Sequence, residues 1–158
     1  MELDVISAHR TVVLEGCDGV GKTTVAQQLA GDFGFTIVYS ARTPDGVNLA
    51  ERYQQILSRP DRLALDRSFV SELVYGPLRH GGSRLTDADA CDLAVLVARR
   101  GGVLAHLTAP ASVIRARLLA REGPAAAALA DLESIITAYE RVVRALNPYL
   151  PVVRLDTR

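Results

Sequence analysis

The chain has 158 residues, of which 18 are basic, 18 are acidic and 49% are hydrophobic. This length suits one domain with its own core, and we expect a single domain over residues 1–158. A formal net charge of zero gives no whole-chain field that would favour nucleic acid or an anionic membrane. We find no signal peptide and no apolar run long enough to cross a bilayer. Cys17 and Cys91 lack metal-binding or framework spacing, so we expect a cytoplasmic protein with reduced thiols.

Apolar runs alternate with helical periodicities along the chain. The predicted strands are Thr11–Glu15, Phe35–Tyr39, Leu63–Asp66, Val103–Thr108 and Val152–Asp156. The predicted helices are Lys22 to about Asp32, Asn48 to about Ser58, Phe69 to about Tyr75 with a break at Gly76-Pro77, Thr86 to Arg100, Pro110 to about Arg121, and Leu129 to Leu146. The predicted irregular segments are a polar lead-in at 1–10 and loops at Ser40–Gly46 and Arg79–Arg84. This order predicts a three-layer α/β fold, in which a five-stranded parallel sheet carries helices on both faces and binds ligands at its C-terminal edge.

The most specific motif follows the first strand. Gly16, Gly21, Lys22 and Thr23 fit the pattern G-x-x-x-x-G-K-[ST], which is typical of a loop that binds the phosphates of ATP or GTP. Glycine lets the backbone N–H groups curl around an anion, and the following helix directs its positive end at the same place. We expect Lys22 to reach the β- and γ-phosphates and the Thr23 hydroxyl to hold Mg²⁺. Lys22 is the only lysine in the chain, which favours a role for its compact charge.

A second polar pair follows the third predicted strand. If that strand neighbours the first, Asp66 lies beside Thr23 and the metal, directly or through water. Arg67 then directs its planar guanidinium at a phosphate of the donor or acceptor. The alternative is an Asp66 that caps the next helix and an Arg67 that is merely solvated.

Four segments carry a resemblance to known kinases. EGCDGVGKTT (15–24) resembles the phosphate loop of thymidylate kinases, and SARTPDGVNLAERYQQIL (40–57) resembles their Arg-Pro-Gly-Gly stretch. DRSFVSELVYG (66–76) resembles their Asp-Arg-Tyr/Phe segment and also the Glu-Arg-Ser motif of deoxynucleoside kinases. LTAPASVIRARLLAR (107–121) is similar to the strand and arginine-bearing lid helix of both groups. The resemblance implies a P-loop kinase that uses ATP and Mg²⁺ to phosphorylate a deoxynucleotide-like acceptor.

The same resemblance implies roles for individual residues. The phosphate loop would comprise Gly16, Asp18, Gly19, Val20, Gly21, Lys22, Thr23 and Thr24. The acceptor site would include Asp18, Arg42, Arg67, Tyr75 and Arg79. Arg42 and Arg67 would hold the acceptor phosphate, and a short lid at about 117–128 would bring Arg117 and Arg121 over ATP. Their i,i+4 spacing fits a solvated arginine face equally well, and Tyr75 fits a core position equally well.

The chain departs from thymidylate kinases before the third strand. Those enzymes have a long segment there that supplies residues for reading the base, whereas this chain has only Arg59–Arg62 between its helix and Leu63. We therefore expect an acceptor pocket that is more open or is closed by a partner subunit. Thymidylate kinases are commonly homodimers, so the resemblance implies a homodimer.

Two other functions stay open at this point. A hydroxyl acceptor, either a deoxynucleoside or a hydroxymethylpyrimidine base in DNA as in phage kinases, needs a general base. Glu15 is the candidate, as in deoxynucleoside kinases, although it equally suits orienting the metal or Arg67. Binding to DNA would use a local patch formed by the arginines at 79, 84, 99 and 100. The third function is a nucleotide-dependent switch. The absence of a guanine-reading Asn-Lys-x-Asp motif argues against it.

Overall fold

The computed structural model describes residues 3–40 and 42–158, so Met1 and Glu2 of the predicted lead-in and Ala41 of the predicted 40–46 loop lie outside the described residues. The strands in this part of the chain are β1 (Thr11–Glu15), β2 (Thr36–Tyr39), β3 (Leu63–Asp66), β4 (Gly102–Thr108) and β5 (Val152–Asp156). The helices are α1 (Leu3–Ser7), α2 (Lys22–Phe33), α3 (Leu49–Leu57), α4 (Phe69–His80), α5 (Asp87–Arg99), α6 (Ala111–Glu122), α7 (Ala127–Ala130) and α8 (Leu132–Leu146).

All five strands are parallel and lie in the order β2-β3-β1-β4-β5. Every residue of the central strand β1 is buried, as its continuous apolar sequence predicts for a strand covered on both faces. The register pairs Leu14 with Asp66 and Glu15 with His106. The loop after β1 therefore lies between the ends of β3 and β4. The predicted parallel sheet with helices on both faces is confirmed.

Local capping chemistry sets where two of the helices begin. At the start of α5, Asp89 N–H donates to Thr86 Oγ1 over 3.0 Å, and Thr86 N–H donates back to the Asp89 carboxylate. This reciprocal capping box is the one that the sequence predicts. At the start of α3, Glu51 N–H donates to Asn48 Oδ1 over 2.9 Å, which satisfies one of the free amide groups of the first turn.

The predicted lead-in at 1–10 is wrong in part because Leu3–Ser7 forms α1. Its Ile6 is fully buried in the core and Leu3 packs against the core, so tertiary packing stabilises a helix that is too short to be stable alone. The predicted helix Leu129–Leu146 is also divided. Asp131, with φ −113°, separates α7 from α8, while the predicted inner face of α8 is buried.

The predicted break at Gly76-Pro77 is wrong, because α4 continues to His80. Gly76 is buried, and a Cβ there would lie 2.9 Å from the carbonyl oxygen of Gly82. The glycine therefore allows the turn after the helix to fold back closely onto it. The helix ends instead at Gly81, whose φ of 75° suits a glycine cap.

The N-terminal edge of the sheet is held by arginine side chains. The Arg100 guanidinium donates to Thr11 Oγ1 over 2.6 Å and to the carbonyl oxygens of Leu57, Arg59 and Asp61 over 2.6, 2.5 and 2.8 Å. Arg100 thus closes the short 58–62 connection onto β1. Arg79 and Arg84 lie at the opposite edge of the sheet, beside the cavity described below. The expected arginine patch for DNA is therefore split between two edges of the sheet.

None of the described helices combines the length and apolar composition needed to cross a membrane.

Candidate active site

The loop between β1 and α2 has glycine at three positions where the backbone φ is positive. Gly16, Gly19 and Gly21 have φ angles of 150°, 83° and 102°, a region that side chains other than glycine rarely adopt. A Cβ on Gly16 would lie 2.6 Å from the carbonyl oxygen of Leu107. Val20 is fully buried beneath the loop. The loop is therefore packed closely against the end of β4, in a conformation that favours glycine.

Lys22 lies at the start of α2 with only 6% of its surface exposed. Its ammonium group donates to the carbonyl oxygens of Gly16 and Cys17 over 2.7 and 2.9 Å. Burial lowers the pKa of Lys22, because the charged form loses hydration, and the nearby Glu15 carboxylate opposes that shift. The ammonium group is thus held inside the loop where a phosphate would meet it.

Thr23, in the first turn of α2, meets Asp66, the last residue of β3, as the sequence predicts if β1 and β3 are adjacent. Thr23 Oγ1 donates to Asp66 Oδ2 over 2.7 Å, and Asp66 is 7% exposed. Hydroxyl and carboxylate oxygens are the ligands that Mg²⁺ prefers. No group of three or more histidine, cysteine, aspartate or glutamate side chains with metal-site geometry occurs among the described residues. This donor set fits Mg²⁺, which keeps several waters and takes its other ligands from substrate phosphates.

Arg67 occupies an unusual backbone position directly after β3. Its φ is 70°, and it is the one residue other than glycine with a positive φ in the described part of the chain. Its N–H donates to the carbonyl oxygen of Leu14 over 3.2 Å, and its guanidinium pairs with the Asp18 carboxylate of the phosphate loop. Such a conformation costs about 1–3 kcal/mol and persists where the surroundings fix it. Strain at this position is typical of a functional site.

The Glu15 side chain accepts hydrogen bonds from the segment that directly follows the strained Arg67. Its carboxylate is fully buried and accepts hydrogen bonds from the N–H and hydroxyl groups of Ser68 (2.7 and 2.9 Å) and Ser71 (3.2 and 3.1 Å to the same oxygen). The Tyr139 hydroxyl donates to its other oxygen over 3.0 Å. Burial raises the pKa of Glu15, while Lys22 and these donors lower it. The carboxylate therefore faces the backbone of the turn at residues 66–68, which we call the Asp-Arg-Ser turn.

Tyr139 is a residue of this network that the helical pattern assigns only to the core. Its ring stacks on His106, with centroids 6.2 Å apart, and meets the Tyr75 ring edge to face at 6.1 Å. It is 1% exposed, and a buried tyrosine normally finds a partner for its hydroxyl. The sequence signal for this contact is the tyrosine itself. A tyrosine on the apolar face of a predicted helix needs a buried hydrogen-bond partner for its hydroxyl, and here that partner is Glu15.

Two cavities meet at Arg67. One, of about 490 Å³, surrounds the phosphate loop and is lined by Asp18, Gly19, Gly21, Lys22, Thr23, Thr24, Tyr39, Ser40, Asp66, Arg67, Arg121 and Glu122. The other, of about 340 Å³, lies between α3 and α4 and is lined by Ser40, Arg42, Thr43, Leu49, Tyr53, Arg67, Ser68, Ser71, Glu72, Tyr75, Arg79, His80 and Arg84. We call them the phosphate cavity and the acceptor cavity. Arg67 and Ser40 line both.

A third cavity, of about 390 Å³, continues from the loop toward α6 and is lined by Gly19, Val20, Gly21, Thr24, Arg117, Arg121 and Thr157. Arg117 donates to the Thr157 carbonyl oxygen and, over 3.4 Å, to that of Gly19. Arg121 pairs with Glu122 at the surface over 2.7 Å. The two predicted lid arginines thus lie on the same side of the loop, and Thr157 is a neighbour that the sequence did not single out.

The remaining predicted acceptor residues surround the acceptor cavity unequally. Arg42 has 59% of its side chain exposed and pairs with Asp45 over 3.3 Å. Tyr75 lies along the wall with the guanidinium carbons of Arg79 and Arg67 at 4.9 and 5.8 Å from its ring centroid. The Tyr75 hydroxyl oxygen is buried without a hydrogen-bond partner among the described residues. The structure therefore brings Arg67, Tyr75 and Arg79 together and leaves Arg42 at the rim.

Two tyrosines of the acceptor cavity allow a matched test of this unpaired hydroxyl. Tyr75→Phe removes a buried group without a partner, so we expect an unchanged or higher free energy of unfolding, by up to about 1 kcal/mol. Tyr53→Phe removes a hydroxyl that is bonded to Ser40, so we expect a loss of about 1 kcal/mol. Urea denaturation of both variants measures the difference. Equal destabilisation by the two changes would show that the Tyr75 hydroxyl has a partner.

We compared the sequence with protein-family models and curated proteins, and the structure with solved structures. No family model and no curated protein matches the sequence. The structure is similar to that of the YorR protein from Bacillus subtilis in complex with phosphorylated GDP, with 26% identity and a TM-score of 0.81 over 93% of this chain and 85% of that chain. It is also similar to deoxyadenosine kinase from M. mycoides with bound dCTP, with 13% identity and a TM-score of 0.60 over 93% of this chain and 90% of that chain.

A further similar structure is shikimate kinase from Acinetobacter baumannii in complex with shikimate, with 15% identity and a TM-score of 0.55 over 99% of this chain and 88% of that chain. This chain has the fold of P-loop kinases. The similarity shows the fold, and the YorR structure, at 26% identity, contains a phosphorylated nucleotide. The similarity does not single out thymidylate kinases among P-loop kinases.

Proposed function

We propose that the protein transfers the γ-phosphoryl group of ATP to a small deoxynucleotide-like acceptor. The observation that carries this proposal is the position of Arg67, which lines both the phosphate cavity and the acceptor cavity. A donor phosphate on the loop and an acceptor between α3 and α4 would meet at this one guanidinium. Phosphoryl transfer depends mainly on positioning and charge neutralisation, which is what a shared arginine supplies.

On the donor side, the loop amides and Lys22 would bind the β- and γ-phosphates, and Arg117 and Arg121 would cover the nucleotide from α6. Thr23 and Asp66 would hold Mg²⁺, Thr23 by its hydroxyl and Asp66 directly or through water. When bound, Mg²⁺ neutralises charge on the transferring phosphate. The phosphorylated GDP in the similar YorR structure supports a nucleotide as the ligand of this chain.

On the acceptor side, the surroundings of Glu15 favour an acceptor that needs no general base. Glu15 is saturated by donors from Ser68, Ser71 and Tyr139 and lines neither the phosphate cavity nor the acceptor cavity. Its proposed role is to hold the Asp-Arg-Ser turn and hence Arg67. A phosphate acceptor is already a nucleophile, whereas a hydroxyl acceptor requires a base within hydrogen-bond reach. The arginines at 79 and 84 lie at the opposite edge of the sheet from Arg100, so these residues do not form the single patch expected for DNA.

The experiment that tests the function measures conversion of ATP to ADP with Mg²⁺ against a panel of acceptors. The panel contains thymidine, dTMP, the other deoxynucleosides and their monophosphates, and duplex DNA containing hydroxymethyluracil. We expect ADP formation to rise sharply with at least one deoxynucleoside monophosphate. An ATP consumption that no acceptor changes would indicate a slow hydrolase or switch. Turnover with hydroxyl acceptors alone would return the role of base to Glu15.

A further inference from the structure

The acceptor cavity contains more positive than negative charge. Among the described residues that line it, the arginines are Arg42, Arg67, Arg79 and Arg84, and the one carboxylate is that of Glu72. Three of these arginines have carboxylate partners. Arg84 pairs with Glu72 over 3.4 Å, Arg42 with Asp45, and Arg67 with Asp18.

Arg79 is the remaining arginine of the cavity. Within residues 3–40 and 42–158, no carboxylate lies within ion-pair distance of its guanidinium. It rests instead on the Tyr75 ring, with its guanidinium carbon 4.9 Å from the ring centroid. This contact orients the side chain without neutralising it. A cation that is oriented but unpaired beside a cavity favours an anionic ligand.

Arg67 approaches the same ring, with its guanidinium carbon 5.8 Å from the centroid. Both arginines line the acceptor cavity, so two positive charges face the same space, and this arrangement favours an anion there. Planar guanidiniums match the oxygens of a phosphate group in pairs. Arg67 is fixed by its backbone and by Asp18, so the geometry of one half of such a clamp is already set.

We propose that Arg67 and Arg79, resting on Tyr75, form the clamp for the phosphate group of the acceptor. The acceptor is then a phosphate monoester whose own phosphate oxygen is the nucleophile. This inference rests on the proposed function. The resemblance to thymidylate kinases implies Arg42 and Arg67 as the pair that holds the acceptor phosphate, whereas here Arg79 takes the place of Arg42. Arg42 and Arg79 are both exposed, but Arg42 is paired with Asp45, whereas Arg79 rests on Tyr75 and has no carboxylate partner among the described residues.

The clamp accounts for the chemistry of the transfer. Arg67 borders the phosphate cavity, so an anion that it holds lies next to the γ-phosphate of ATP. An oxygen of the acceptor phosphate forms a bond to the γ-phosphorus as the bond from that phosphorus to the β,γ-bridging oxygen breaks. The electron pair leaves on ADP. No proton is transferred, so no base is needed at the acceptor.

The experiment measures equilibrium binding of each deoxynucleoside monophosphate and each deoxynucleoside to the protein by calorimetry. Arg79→Gln removes the charge but keeps a stem that packs on Tyr75. We expect it to weaken binding of the preferred monophosphate by about 10- to 100-fold and binding of the matching deoxynucleoside by less than about threefold. Arg42→Gln is expected to cause a smaller loss than Arg79→Gln. Arg144→Gln, an exposed arginine of α8 outside all three cavities, is expected to change neither affinity.

Three results would overturn the clamp. They are no binding of any monophosphate by the wild-type protein, no loss in Arg79→Gln, and equal losses for monophosphate and deoxynucleoside. Thermal denaturation of Arg79→Gln confirms that the variant is folded, and Arg79→Lys, which keeps the charge, should recover part of the affinity. Selective binding of a monophosphate without ADP formation would instead leave the clamp in place and reject the proposed kinase activity.

Discussion

Glu15→Ala is expected to destabilise the protein by about 3–5 kcal/mol and to abolish activity with it. The substitution leaves the N–H and hydroxyl groups of Ser68 and Ser71 and the hydroxyl of Tyr139 without their shared acceptor. An unsatisfied buried donor costs about 1–3 kcal/mol, and some of these donors will find water. Chemical denaturation measures the loss. A change below about 1 kcal/mol would show that the network is not what holds the turn.

Glu15→Gln separates positioning from base catalysis. Its carbonyl oxygen can accept the two N–H donors, and its amide can donate to the hydroxyls of Tyr139 and Ser71, which can rotate. We therefore expect activity within about tenfold of the wild type. A general base contributes about 10²- to 10⁴-fold, so a loss of that size in a folded Glu15→Gln protein would restore Glu15 as the base.

The same variant gives a pH test. Because burial raises the pKa of Glu15, the native state keeps a proton that the unfolded chain releases above about pH 4.3. In that window the native state binds more protons than the unfolded state, so wild-type stability falls as pH rises toward the native pKa. Glutamine does not titrate. The stability of Glu15→Gln relative to the wild type should therefore increase with pH across this range.

Lys22→Met is expected to lower kcat/KM by at least about 10²- to 10³-fold, the range for loss of one preorganised donor to a developing charge. Stability should change little. The variant loses two hydrogen bonds to loop carbonyls, but it also removes a buried charge whose pKa is lowered by burial. Stopped-time assays of ADP formation and thermal denaturation measure the two effects. Retention of full activity would reject the phosphate loop as the donor site.

Lys22→Arg is the matched control for charge. Arginine keeps the positive charge but replaces a compact ammonium with a wide planar group. The space between the carbonyl oxygens of Gly16 and Cys17 receives a single ammonium at 2.7 and 2.9 Å. We expect Lys22→Arg to remain strongly impaired, which would show that position and shape, as well as charge, matter at this residue.

The order of strands and helices followed from the sequence because parallel strands are buried on both faces and therefore appear as continuous apolar runs. Thr11–Glu15 and Leu63–Asp66 were predicted with the bounds that the structure has. The contact between Thr23 and Asp66 also followed, since it needs only adjacent strands. These features depend on local pattern and on one rule of topology.

Other features could not be predicted from the sequence because they depend on contacts between residues that are distant along the chain. Gly76 resembles a helix break until the turn that packs against it is known. The surroundings of Glu15 join residues 53, 56 and 124 positions away along the chain, so no local pattern distinguishes a base from a buried organiser. The arginines at 79, 84, 99 and 100 were expected to form one basic patch because they are close in sequence. In the structure, Arg100 and Arg84 lie at opposite edges of the sheet.

The burial of Lys22 between two carbonyl oxygens has a practical consequence for labelling. The chain has no other lysine, so among its side chains an amine-directed reagent has one target, apart from the amino terminus. Burial lowers the pKa of Lys22, which favours the neutral form that such a reagent attacks, but it also leaves only 6% of the residue exposed, so labelling depends on opening of the loop. The mass of a peptide containing residue 22, with and without a nucleotide, would then report occupancy of the loop directly. No residue has to be added or removed to install that reporter.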